Sequence, residues 1–128
     1  MADAIQRFGE TRVIADKTAT YTVLRSESGK FFTNEGAAGT IKFNLPQDSI
    51  KGEWFEFLAA ANQDVTVDPG AAGALYGDVD GSSGWTKQAD NTHAVLDVQG
   101  DCIRVLAKGD GDWYTINQSE VGDITFAA

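Results

Sequence analysis

At 128 residues, with 42% hydrophobic and 23% charged side chains, the chain is long enough to bury the core of one domain and too apolar for wholesale disorder. Its 19 acidic and 10 basic side chains leave a formal charge of -9, a field that repels phosphate backbones and anionic membranes, so direct contact with either is not expected. The single cysteine, Cys102, has no disulfide partner in the chain, and there is neither a secretion signal after Met1 nor a run near the ~20 apolar residues of a membrane helix, so folding in the cytoplasm is expected.

Residues 1–18 are mixed in character and weakly periodic, and they read as an extended N-terminal arm. Residues 19–24, Ala-Thr-Tyr-Thr-Val-Leu, favour a strand, and Ser26-Glu27-Ser28-Gly29 supplies a turn before a second strand at 30–33. The clearest strand is 40–46, where Ile41, Phe43 and Leu45 face one side and Thr40, Lys42 and Asn44 the other. Pro46 cannot donate to a sheet ladder and ends it. In 53–59, Phe55 and Phe57 share one face and Trp54 and Leu58 the other, so both faces are expected to be covered and Trp54 is assigned to packing or subunit contact.

Val65 and Val67 point inward in the strand 64–70, and a Gly- and Ala-dense loop follows through Gly84, long for a compact domain. Strands at 92–99, 102–107 and 113–117 are separated by Gly100-Asp101 and by Gly109-Asp110-Gly111-Asp112, both hairpin-type signals. Residues 122–126 supply a last strand for an edge or for a neighbouring subunit. The expected fold is all-β, a small β-sandwich or barrel-like domain over 19–128 with residues 1–18 as its arm.

Residues able to carry chemistry are poorly grouped. Gly77-Asp78-Val79-Asp80-Gly81-Ser82-Ser83-Gly84 begins like a calcium loop, with Asp78, Asp80 and Ser82 as alternating oxygens. The pattern then fails, because its sixth position is Ser83 instead of Gly and its twelfth is Ala89 instead of a bidentate Glu, so a plain acidic loop is expected. His93 has no recognisable nucleophile beside it, and Cys102, with only Arg104 near in sequence, is expected as a small buried apolar residue. Glu53 and Glu56 fall on opposite strand faces, which defeats the paired carboxylates of glycoside hydrolysis. Of Trp113 and Tyr114, only one can share an exposed face. No catalytic residue, metal or cofactor is expected.

The order of the pieces is informative. A strand ending in Leu45-Pro46 is followed by the aromatic strand, Val65-Thr66-Val67-Asp68-Pro69-Gly70, the loop 77–84, strands at 94–99 and 102–107, and the run 109–116. This order resembles a β module of structural proteins from tailed bacteriophages. Ser28-Gly29-Lys30-Phe31-Phe32-Thr33-Asn34-Glu35-Gly36-Ala37 looks like the start of that module in short head decoration, or capsid cement, proteins. The resemblance spans roughly two-thirds of the chain.

Similar modules occur in tail-fibre and head-fibre proteins, frequently as trimers. The absence of a repeated shaft or coiled-coil segment favours decoration. The resemblance implies a non-enzymatic virion protein on the capsid exterior, made in the bacterial host cytoplasm, that bridges neighbouring capsomers as a homotrimer bound to the major capsid protein. It further implies that the arm, with Ile5, Phe8, Val13 and Ile14, lies along the capsid or an adjacent subunit; Arg7, Arg12 and Lys17 concentrate positive charge in that arm, so this end is expected to meet acidic groups on the shell. The alternative is a fibre module that binds a host receptor or glycan.

Overall fold

A computed structural model describes residues 12–78, 84–119 and 124–127. The strands among them are β1 (Ile14–Asp16), β2 (Tyr21–Thr22), β3 (Phe31–Thr33), β4 (Ile41–Asn44), β5 (Trp54–Leu58) and β6 (Val65–Asp68). They continue as β7 (Leu75–Asp78), β8 (Trp85–Lys87), β9 (His93–Leu96), β10 (Cys102–Ala107), β11 (Trp113–Asn117) and β12 (Thr125–Ala127). A seven-stranded sheet, β1-β3-β5-β10-β11-β7-β8, packs on a five-stranded one, β12-β9-β6-β4-β2, so the domain is a β-sandwich.

Up to β6 the chain changes sheet at every connection, so β1, β3 and β5 pair in parallel on one side and β2, β4 and β6 in parallel on the other. This half is a two-sided coil. Hairpins come later, at β7–β8 and β10–β11. Gly109-Asp110-Gly111-Asp112 closes the second of these, with positive φ at Gly109 (97°) and Gly111 (94°) and the Lys108 N–H donating to the Asp112 carbonyl (3.0 Å). Gly100-Asp101 behaves differently from its hairpin signal: it carries the chain from β9 in one sheet to β10 in the other.

Two further stretches differ from the sequence reading. The Gly- and Ala-dense loop contains β7, whose inward positions are Leu75 and Gly77, too small a pair to register as a hydrophobic alternation. Ile14–Asp16, part of the stretch read as an arm, pairs with Phe31–Thr33 at the sheet edge. Its Ile14 and Asp16 point outward and Ala15 alone packs on the core, which is why no period was visible.

Alternation decides what is buried. Phe55, Phe57, Ile103, Val105 and Trp113 of the larger sheet meet Ile41, Phe43, Leu45, Val65, Val67 and Leu96 of the smaller, none more than 3% exposed. The Phe57 ring lies 5.6 Å from that of Phe32 and 5.0 Å from that of Phe43, the latter from the opposite sheet. Two buried polar residues hold the connections. Asn34 donates to the Gln63 carbonyl (3.1 Å) and accepts from the Ala61 N–H (2.8 Å), fixing the exit of β3 to the link after β5.

Glu27 organises the 3-10 turn Arg25–Glu27 that leads into β3. Burial pushes its carboxyl up, but the Leu24 N–H (2.9 Å), the Tyr21 hydroxyl (2.8 Å) and the Lys30 ammonium (3.1 Å) together outweigh that and hold it below its ordinary value.

Gly73 sits where two loops meet. A Cβ there would lie 2.5 Å from the Pro69 carbonyl oxygen and 2.8 Å from that of Gly111, and neither backbone can swing aside. Gly73→Ala is therefore expected to lower stability by about 1–3 kcal/mol, measured by equilibrium urea unfolding. Gly39→Ala, where a Cβ has nothing within 4 Å, changes it by less than about 1 kcal/mol.

Candidate functional site

The two outward faces of the sandwich differ in chemistry. On the five-stranded sheet, Lys42, Asn44, Thr66, Asp68 and His93, with Val95 among them, alternate with the core residues and form a largely polar surface. Asp68 joins Lys42 (3.2 Å) and His93 (3.4 Å) there. The sequence reading left His93 without a partner because nothing short of the β6–β9 register places Asp68 beside it.

On the seven-stranded sheet, strand register lays the outward residues in rows. One row runs Trp54, Leu106, Tyr114, Tyr76 and Lys87, and the next Ile14, Phe31, Glu56, Arg104 and Ile116. Large apolar groups stay open to water in and beside these rows: Ile14 is 64% exposed, Trp85 55%, Ile116 50% and Tyr114 36%. Exposed apolar groups gathered on one sheet face, interspersed here with Glu56, Arg104 and Lys87, are what binding surfaces present.

At one end of the face Trp54 lies between two arginines. The guanidinium of Arg12 is 4.8 Å from its ring centre and that of Arg104 is 4.7 Å, both within the range of cation–π attraction. Glu56, 3% exposed, pairs with both guanidinia: Arg104 Nη2 is 3.3 Å from Oε2, and Arg12 meets Oε1 as an ion pair without a directed hydrogen bond. Beside Trp54 an open cleft of about 620 Å³ is lined by Arg12, Val13, Ser26, Ser28, Gly29 and Lys30.

At the other end Tyr76, Trp85 and Tyr114 form an aromatic cluster, with ring centres 5.4 to 5.7 Å apart. The Trp85 indole N–H donates to the Thr115 carbonyl (3.2 Å), which fixes the exposed ring. Lys108 Nζ lies 4.7 Å from the Tyr76 ring centre and donates to its hydroxyl (3.2 Å), and that bond raises the lysine above its ordinary value.

Arg12, Val13, Ile14 and Trp54, singled out from sequence, thus meet on one face. Ile5, Arg7 and Phe8 lie outside the described residues, as do Asp80, Ser82 and Ser83 of the calcium-like loop. Tyr114 faces out and Trp113 is buried, in line with their alternation. Glu56, Arg104, Tyr76 and Trp85 were missed as members of the face, since each is placed there by pairing between strands distant in sequence.

Cys102 lies on this outward face, half-buried, instead of in the core. Burial pushes its thiol up while Arg12 and Arg104 pull it down, and the net shift is upward, opposite to that of an activated thiolate. Glu53 is held by Arg25 (3.1 Å) and Glu56 by its two arginines, so both carboxylates are committed to ion pairs. Among the described residues no group of three or more His, Cys, Asp and Glu is placed to hold a metal ion, and no helix is long and apolar enough to cross a membrane. No protein-family model matches the chain, and no curated protein matches it.

Proposed function

We propose that the protein is a non-enzymatic component of a tailed-bacteriophage virion that decorates the capsid exterior and stabilises it by bridging neighbouring capsomers. In this reading it is made in the bacterial host cytoplasm, forms a homotrimer and binds the major capsid protein, without direct contact to nucleic acid or membrane. The observation that carries it is the contrast between the outward faces: one sheet ends in a largely polar surface, while the other exposes Ile14, Trp85, Tyr114 and Ile116. The order of strand motifs supports the same reading through its resemblance to decoration proteins.

The mechanism is mechanical. A protein that binds the assembled lattice and not its free subunits shifts the equilibrium towards the lattice. Repetition across the shell multiplies modest single contacts through effective concentration. The aromatic residues supply anchors of the type that dominate interface energetics.

The test is co-sedimentation of purified protein with particles that lack it, followed by reconstruction of the decorated particle. Trp85→Ala with Tyr114→Ala is expected to weaken binding by about 30-fold or more, the loss of one hot spot. Thr66→Ala, on the polar face, is expected to bind as the parent protein does. Equal loss from both faces, or no association with any particle, overturns the proposal. Sedimentation of the free protein reads the trimer.

A second reading, a fibre module that binds a host receptor or glycan, is favoured by one feature. The Tyr76, Trp85 and Tyr114 cluster offers sugar rings an exposed stacking surface. Density on tail or unique vertices, in place of the icosahedral shell, would select it.

A further inference from the structure

We propose that the cleft beside Trp54 is a docking site for an acidic, extended segment of the protein partner. The inference rests on the sheet-face reading above and adds the chemistry of what is bound there.

Arg12 and Lys30 line the cleft, Arg25 precedes its wall residue Ser26 and Arg104 lies against its Trp54, and in each of their ion pairs the carboxylate is the more buried member. The exposures are 37% against 3% for Arg12 and Glu56, 38% against 16% for Arg25 and Glu53, 32% against 10% for Lys30 and Glu27, and 36% against 3% for Arg104 and Glu56. Among the described residues the solvent-facing charge at the cleft is therefore cationic, although the whole chain carries -9. Because Glu56 is shared, Arg12 and Arg104 together retain one positive charge that it does not cancel.

Trp54 supplies an apolar floor between those two guanidinia. A segment that places a carboxylate on the rim and an apolar neighbour against the half-buried Trp54 side chain, beside the guanidinia, satisfies both. The cleft volume lies in the range of ligand clefts, and Val13, on its wall, immediately precedes β1, whose outer edge pairs with no strand among the described residues, so an extended chain can enter along that side. A nucleic acid fits the rim but must bring a long run of phosphates against the acidic remainder of the surface. A short acidic peptide meets only the local field, because charges beyond ~8 Å are screened at physiological salt.

The experiment titrates the protein with an end-capped peptide alternating aspartate and leucine, following the Trp54 indole N–H signal by NMR. Matching peptides with lysine or serine in place of aspartate, and a short single-stranded oligonucleotide, are the comparisons. Ser26 is exposed on the cleft wall, so Ser26→Glu places a like charge at the site while a thermal melt checks that the fold is kept. Binding of the aspartate peptide alone, weakened about tenfold or more by Ser26→Glu and weakened further by added salt, is the expected result.

Equal binding of the lysine or serine peptide, tighter binding of the oligonucleotide, no binding, or indifference to Ser26→Glu overturns it. Particle association by a protein that ignores the aspartate peptide removes this inference and leaves the decoration reading standing. Peptide binding without particle association does the reverse.

Discussion

Phe57→Ala is expected to destabilise the protein by about 3–5 kcal/mol and to lower its melting temperature by roughly 10 °C or more. Phe57 is fully buried on β5, and its ring stacks on Phe32 (5.6 Å, 19°) within its own sheet and tilts against Phe43 (5.0 Å) from the facing one. The cavity left by its removal would lie between two sheets. Those sheets are held apart by the remaining rings, and β5 is pinned by ladders to β3 and β10 on both sides, so little collapse is available. Against the ~5–15 kcal/mol that a domain of this kind has in total, the loss is a large fraction. Leu58→Ala, one position along but facing outward, should cost far less. Urea unfolding of both variants decides the matter: equal losses would mean that Phe57 is not at the centre of the core.

How much of this was legible depends on where each signal is stored. Ile41, Phe43 and Leu45 alternate within one strand and report their own burial, as do Phe55 and Phe57, so the core was readable from local pattern. The β10 and β11 bounds, Cys102–Ala107 and Trp113–Asn117, were readable for the same reason, with glycines marking the turn between them. β7 was not, because Gly77 occupies an inward position where an added Cβ would lie 2.2 Å from the Phe126 ring. The sequence uses an empty position to admit a side chain from far along the chain, and that is invisible to periodicity. The parallel coil of β1 to β6 was hidden too, since Gly-rich connections look alike whether they close a hairpin or cross between sheets. Arg12, Val13, Ile14 and Trp54 were singled out one by one, yet the face they form exists only through the register of Ile14 with Phe31 and of Phe31 with Glu56.

Replacing both Arg12 and Arg104 by methionine is expected to cost about 3 kcal/mol, and adding Glu56→Leu to that pair is expected to return most of it. The asymmetry follows from exposure. Glu56 is 3% exposed and depends on the two guanidinia for compensation, whereas those guanidinia, at 37% and 36%, can turn to water when the carboxylate is gone. Stranding the buried anion is therefore costly, and removing it is cheap: Glu56→Leu alone should change stability by about 1 kcal/mol or less. Methionine keeps an apolar stem over Trp54, so the loss is not attributable to lost packing on the indole. The three measurements by urea unfolding isolate the coupling between the groups. If the double variant stays within about 0.5 kcal/mol of the parent, or the triple variant is no more stable than the double, these pairs act as ordinary exposed ion pairs worth ~0–1 kcal/mol. The triple variant also separates folding from recognition. It keeps a packed sheet face but has lost Arg12 from the cleft lining and Arg104 from beside Trp54, so it should fold near parental stability and yet bind the aspartate peptide weakly.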